Sequence, residues 1–340
     1  MIKQIIIIFS CSLFIISSAV GSVCNDKKTV KPKNDNNIYQ VKYAQTAITV
    51  GAGQEYQRDV NLSVTYPSGN NKYPLIVFSH GHALDNLSYR NLTDYWVERG
   101  YVVVAPLHHD SGGDLKRVSE ISKKYGNDWI AASRLLELTA VINQIEIITN
   151  TLSDFKGQVS VERVIAAGHS YGALSSQQLA GANLEQHNNS IYQIPSTLVD
   201  PRVVAVVAVS PPGLMKDHLT EKTWEGFKKP QLVVTGPNDY FPFIWPNYED
   251  HFVSYLTAEP GHNYLLVLEG MDHYLGGLIG RLDRDTTRQV LAMENLREVS
   301  MKFIEHYLRS ESSKDDKLIK PLRSYLKTSS KNGVLRFEHR

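Results

Sequence analysis

The stretch from Val161 to Ala180 restricts this chain more than any other. An apolar, β-branched run, Val161–Ala167, leads into Gly168-His169-Ser170-Tyr171-Gly172, and a helical stretch, Ser170–Ala180, begins inside those five residues. A strand that passes straight into a helix needs residues without bulk on both sides of the central serine. Gly168 and Gly172 meet that demand, and Ala173 keeps the following position small. Such a turn lifts Ser170 Oγ above the carboxyl edge of a sheet. It also leaves the Tyr171 N–H at a helix N-terminus, where negative charge is stabilised. The pattern is that of a nucleophilic serine.

A serine hydroxyl attacks only when a base takes its proton, and in this geometry the partners follow in the order serine, acid, histidine. The run Gln231–Thr235 ends in Gly236-Pro237-Asn238-Asp239, which puts Asp239 at a strand's carboxyl end as the orienting acid. The run Tyr264–Leu268 is followed by Glu269-Gly270-Met271-Asp272-His273, which makes His273 the candidate base. Asp250 and Asp217 are the fallback acids. His262 precedes its strand and so falls at the wrong end. Asp272 is read as shaping the loop. The second oxyanion donor is sought after the run Pro74–Ser79, in Ser79-His80-Gly81-His82-Ala83. The His82 N–H is the first choice and Gly81 the alternative. Gly81 lets the backbone come close to a substrate, and His169, Tyr240 and Phe241 are further substrate-binding candidates.

The same alternation extends on both sides. Strand-like runs recur at Leu62–Tyr66, Pro74–Ser79, Tyr101–Ala105 and Val203–Val209, and helical stretches at Leu87–Arg99, Asp128–Ile148 and Thr287–Leu308. Strands that are apolar throughout, alternating with helices, predict an α/β fold with a mostly parallel sheet covered on both faces. Segments 111–127, 182–200 and 240–262 fit neither pattern and read as loop insertions, where specificity resides. The aromatic cluster from Tyr240 to Tyr248 reads either as the wall of an apolar pocket or as ordinary packing. The predicted organisation is a signal peptide at 1–22, a polar lead-in with a first strand region at 23–59, the catalytic domain at 60–310 and a charged, loosely docked extension at 311–340.

The N-terminus carries the export reading. Lys3 precedes the apolar run Ile5–Ile16, which gives way to small residues from Ser17 to Ser22. That run falls short of the about 20 residues a spanning helix needs, and the order of parts is that of a cleaved signal. The expected location is secreted or periplasmic, with a lipid anchor on Cys24 as the other outcome. The 36 Lys+Arg balance the 35 Asp+Glu to a formal charge of +1, which argues against a nucleic-acid partner working through a positive field. Two cysteines exclude a disulfide scaffold and a cysteine-based zinc cluster. His80, His82, His108, His109 and Asp110 could by type hold a metal, but no histidine pair has the helical spacing of a zinc hydrolase. They are read as lining the mouth of the site, with no metal and no cofactor.

Phe78-Ser79-His80-Gly81, Val103-Val104-Ala105-Pro106, the turn at Ser170, Gly236-Pro237-Asn238-Asp239 and Gly270-Met271-Asp272-His273 together resemble the α/β-hydrolase superfamily over about residues 60–310. Within it the chain is most similar to dienelactone-hydrolase-like proteins grouped with platelet-activating-factor acetylhydrolase and chlorophyllase. The resemblance implies a serine esterase or lipase-like enzyme without a cofactor. Its partner would be a small hydrophobic ester, with contact to a lipid surface left open. Three features depart from those relatives. Dienelactone hydrolases use cysteine where Ser170 stands. The acetylhydrolase branch places its acid one strand earlier, where this chain has Ser210-Pro211-Pro212. His82-Ala83 replaces a common Leu-Gly. Peptidase, amidase or acyl-transfer chemistry on the same residues, a non-catalytic binding role, and metal-assisted hydrolysis through the histidines are the rival readings.

Overall fold

The run Val203–Val209 reads VVAVVAV and is buried along almost its whole length. A strand apolar on both faces is stable only between two covering layers. The computed structural model describes residues 38–340 except 127, 185–197, 217, 285, 286, 288, 310–319, 323 and 326–332. The expected signal peptide, Cys24 and the fallback acid Asp217 lie outside the described residues.

The elements follow one another as β1 (Val41–Val50), β2 (Arg58–Pro67), β3 (Lys72–Ser79), α1 (Arg90–Val97), β4 (Val102–Pro106), α2 (Leu115–Tyr125), α3 (Trp129–Asn143), α4 (Ile145–Asn150), β5 (Gln158–His169), α5 (Tyr171–Leu179), β6 (Val203–Val209), β7 (Gln231–Thr235), α6 (Val253–Thr257), β8 (Asn263–Leu268), α7 (Val290–Arg309) and β9 (Val334–His339). The strands form one sheet in the order β1-β2-β4-β3-β5-β6-β7-β8-β9. Strands β3 to β8 run parallel, while β1, β2 and β9 are antiparallel to their neighbours.

Alternate residues of each central strand feed two cores. Leu75, Val77, Val164 and Ala166 face α3 and α5 in one, and Ile76, Phe78, Ile165 and Ala167 face α1 and α7 in the other. Burying apolar surface on both faces stabilises the sheet by about 25 cal/mol per Å² removed from water.

The structure departs from the expected organisation at several points: segment 240–262 holds the short helix α6, and the stretch 128–148 divides into α3 and α4. Segment 111–127 contains the helix α2, whose first turn is capped by the Asp114 side chain. The sheet also continues past residue 310. Strand β9 pairs antiparallel with β8, Leu265 opposite Glu338 and Val267 opposite Arg336. This part of the expected extension is an edge strand: its backbone satisfies β8, while its partly exposed side chains keep the charged composition that suggested a tail.

Because β3 to β8 share one direction, their carboxyl ends share one edge. Among the described residues, the non-glycines with positive φ are Ala83, Ser170, Ser210 and Leu275. Each lies in a loop leaving that edge, after β3, β5, β6 and β8. Strained backbone gathered at one place marks a functional site.

Candidate active site

Ser170 sits between β5 and α5 at φ 55° and ψ −125°. Two features hold it there. The Ser170 N–H donates to the Val209 carbonyl at 2.9 Å, and the Ser170 carbonyl accepts from the Ala173 N–H at 2.9 Å. The need for small neighbours is steric. A Cβ on Gly168 would overlap the Gly172 carbonyl, and one on Gly172 would overlap the Ser79 carbonyl. Tyr171 opens α5, so its N–H lies among the first-turn donors that have no partner within the helix.

Asp239 and His273 come together from the loops after β7 and β8. His273 Nδ1 donates to Asp239 Oδ1 at 2.7 Å, and Thr235 Oγ1 donates to Asp239 Oδ2 at 2.8 Å. Asp239 is fully buried. Burial opposes its ionisation, but the charges and hydrogen bonds of His251 and His273 outweigh that and hold the carboxyl well below the usual range. The two loops are also tied by their backbones, with the Asn238 N–H donating to the Met271 carbonyl at 3.0 Å.

The fallback and competing residues are engaged elsewhere. Asp250 closes a capping box with Asn247. His262 contacts Tyr307. Asp272 Oδ1 accepts from the N–H groups of Tyr274 and Gly276, both at 2.9 Å, and so shapes the loop as expected.

His169 differs from its expected role as a substrate contact. It is 1% exposed and both ring nitrogens are used inside the protein. Nε2 donates to the His273 carbonyl at 2.6 Å, and Nδ1 accepts from the Tyr89 hydroxyl at 3.0 Å. Its ring packs on that of His273 with centres 4.7 Å apart. Burial first, then the charge of His273, lowers its pKa to about 3, so it is a neutral spacer between the turn and the candidate base. Phe241 presents its ring edge-on to His273 at 4.7 Å, and Tyr240 is half exposed.

The loop after β3 is fixed by groups the sequence did not single out. The Gly81 N–H donates to Tyr89 Oη at 3.0 Å and is thereby spent. Arg134 Nη1 donates to the His80 carbonyl at 2.6 Å, and His80 Nδ1 donates to the Gly81 carbonyl at 2.7 Å. In a planar trans peptide C=O and N–H point in opposite directions. With the Gly81 carbonyl turned toward His80 and Arg134, the His82 N–H faces the other way. Of the two candidate donors, the Gly81 N–H is taken by Tyr89 Oη, and the His82 N–H points opposite to the Gly81 carbonyl. The Gly81 backbone also lies close to the turn, since a Cβ there would come within 3.4 Å of Ser170 Cβ.

Two of the other histidines, His80 and His108, correct the expectation that they line the mouth, while His82 is partly exposed. His80 and His108 are buried. His80 Nε2 accepts from the His108 N–H at 3.0 Å. His108 Nδ1 donates to Glu137 Oε2 at 2.6 Å, and its Nε2 accepts from Ser79 Oγ at 2.8 Å. Their lone pairs are thus committed, and desolvation by burial leads the causes that keep both rings neutral. The chain of partners runs on through Arg134 to Asp110, which also accepts from His82 Nδ1 at 2.7 Å. His80 and His108 are a hydrogen-bonded support, with no lone pair left for a metal.

Asp239, His251 and His273 bring ligand-type atoms within 4.8 Å of one another. His273 Nδ1, 2.7 Å from the carboxylate, spends its proton on Asp239, and His251 Nδ1 is spent on the Pro211 carbonyl. They do not fit a metal either. The missed residues had one readable signal: Arg134 and Glu137 are charges on a helix whose neighbours Leu135 and Leu138 belong to the core.

The order β1-β2-β4-β3-β5-β6-β7-β8, with a serine turn after β5, defines an α/β-hydrolase. The chain belongs to the chlorophyllase family, whose model matches residues 35–207. That match runs from β1 into β6 and contains the loop at Gly81 and the turn at Ser170. Asp239 and His273 lie beyond it. No curated protein matches the chain. The family points to a hydrolase acting on esters.

Proposed function

We propose that the protein is a serine carboxylesterase in which Ser170, His273 and Asp239 form the triad. The observation that carries the reading is the 2.7 Å bond from His273 Nδ1 to a buried, ionised Asp239, at the sheet edge where Ser170 is held at positive φ. Ser170 Oγ attacks the ester carbonyl and its proton passes to His273 Nε2. Asp239 holds the Nδ1–H tautomer and stabilises the imidazolium. The N–H groups of Tyr171 and His82 take the oxyanion, each contributing about 3 kcal/mol in the transition state. His273 then protonates the departing alcohol, and water cleaves the acyl-enzyme by the same steps in reverse.

An apolar ester is the substrate class these surroundings favour. Leu87, Leu214, Tyr240, Phe243 and Leu282 are exposed apolar side chains on loops leaving the same edge. Such a rim holds an acyl chain or an apolar alcohol better than a sugar or a phosphate. The apolar run Ile5–Ile16 and the small residues after it support a leader at 1–22 and export of the mature enzyme, with N-terminal sequencing as the test.

The deciding experiment is a nitrophenyl-ester panel of increasing chain length, run with Ser170→Ala and with an amide analogue. Turnover is expected to fall by about four to six orders of magnitude in Ser170→Ala while its circular dichroism stays native. A fluorophosphonate is expected to add to Ser170. Near wild-type turnover in the variant would end the proposal, and faster cleavage of amide than ester would move it to an amidase.

A further inference from the structure

His251 is fully buried and lies outside the triad just described, yet it faces the same carboxylate. Its Nδ1 lies 2.6 Å from the Pro211 carbonyl. A carbonyl only accepts, so Nδ1 carries a proton. Its Nε2 lies 3.1 Å from Asp239 Oδ1, the oxygen that His273 also uses, at ion-pairing distance but off the line of a hydrogen bond. A lone pair so near a carboxylate oxygen would be repelled, whereas a positive ring is attracted. The carbonyl fixes the proton on Nδ1, and the carboxylate charge beside Nε2 favours the ring as the cation.

We propose that His251 is a resident imidazolium paired with Asp239, a positioning residue that sets how far into acid His273 can still act as base. The proposal rests on the triad reading. With Asp239 alone beside it, His273 would sit next to a full negative charge and take up a second proton readily. With His251 charged, the carboxylate and the cation nearly cancel, and protonation of His273 is held off to lower pH.

The groups that face His251 are few. Asp239 comes from the loop after β7 and His273 from the loop after β8, with its ring centre 6.0 Å away. His169 at the end of β5 is neutral, Asp250 is the chain neighbour, and the Trp245 ring packs at 5.5 Å. Burial works against the cation, but Asp239 outweighs it and raises the pKa of His251.

The test is the pH dependence of kcat/KM in His251→Gln, which keeps a neutral donor. A unit charge about 6 Å away, at an effective dielectric constant of about 20 to 80, moves a titration by about half to two pH units. The acid limb of the variant is expected about one pH unit higher than in the wild type. A merely structural role would change the height of the profile and leave the limb where it was. An unmoved limb, or one moved to lower pH, overturns the proposal.

Should the variant not fold, nitrogen-15 NMR of the wild-type imidazoles decides at neutral pH. Two protonated nitrogens on His251 support the pair, and a neutral tautomer overturns it. Activity that survives Ser170→Ala would sink the triad itself. Activity that needs Ser170 but shows an unmoved limb would sink only the role of His251.

Discussion

Arg134 Nη2 lies 2.8 Å from Asp110 Oδ2, and neither side chain reaches solvent. Nε and Nη2 both reach Oδ1 as well, at 3.1 and 2.9 Å, so the fork grips both oxygens. Burial opposes the charge on Asp110, but Arg134 and the hydrogen bonds from His82 and Arg134 outweigh it and hold the carboxyl well below its usual range. The remaining Arg134 donor, Nη1, goes to Ser79 Oγ and the His80 carbonyl. An ion pair inside the protein thus fixes the backbone that is proposed to meet the oxyanion.

Arg134→Met leaves Asp110 buried with His82 alone beside it and frees the His80 carbonyl. Breaking a buried pair from one side costs about 3–5 kcal/mol of stability. A misdirected His82 N–H is expected to lower kcat by about 100-fold, with KM changed less. The measurement is kcat per site labelled by fluorophosphonate, which removes the unfolded fraction from the comparison. Full turnover per labelled site would show that the loop holds its shape without Arg134.

Gly172→Ala separates packing from backbone freedom. A Cβ at Gly172 would meet the Ser79 and His80 carbonyls, which are backbone atoms of β3 and its loop and cannot swing aside. The expected loss is about 3 kcal/mol or more, read as a fall in the urea midpoint. Gly270→Ala is the control. Its φ is +69° and nothing lies within 4 Å of the added carbon. There the cost is the left-handed conformation alone, about 1–2 kcal/mol.

Acid should destabilise the fold in two stages. His169 is neutral in the folded protein down to about 3, while in the unfolded chain it takes up a proton near 6.5. Between those values the unfolded state binds more protons, so stability falls as pH drops, by about 1.4 kcal/mol per pH unit from this residue alone. Buried His80 and His108 are lowered in the same direction and steepen the slope. Asp110 and Asp239 contribute stability that is present above about 4 and lost below it as their depressed groups protonate. Denaturant midpoints measured from pH 8 to pH 3 test this. A flat profile between pH 6.5 and 4 would mean that the buried rings are not held neutral.

The parts of this molecule that were readable from the chain are those written in neighbouring residues. The β6 and β7 runs match their strands end to end. The tight turn at Ser170 declares itself through two glycines and a serine. Asp239 and His273 could be paired in advance because each follows a strand at the same edge, and a hydrogen bond joins them. What stayed hidden depends on distant partners. Strand β9 is short, and its pairing with β8 crosses about 70 residues of chain, so no local periodicity announces it. Residues Glu249 to His251 look like any polar turn, and His251 acquires meaning only when the Pro211 carbonyl and Asp239 close on it. Arg134 and Glu137 broke the apolar face of their helix, which signalled a buried pair without saying which loop it would hold.

The antiparallel strand beside β8 has a further effect on handling the protein. An uncovered β8 would offer an open row of amide and carbonyl groups to any other molecule of the same kind, and apolar strands in that position template self-association. Proteolytic loss of residues 333–340 would therefore appear first as turbidity or dimer bands, before the sheet's interior has changed.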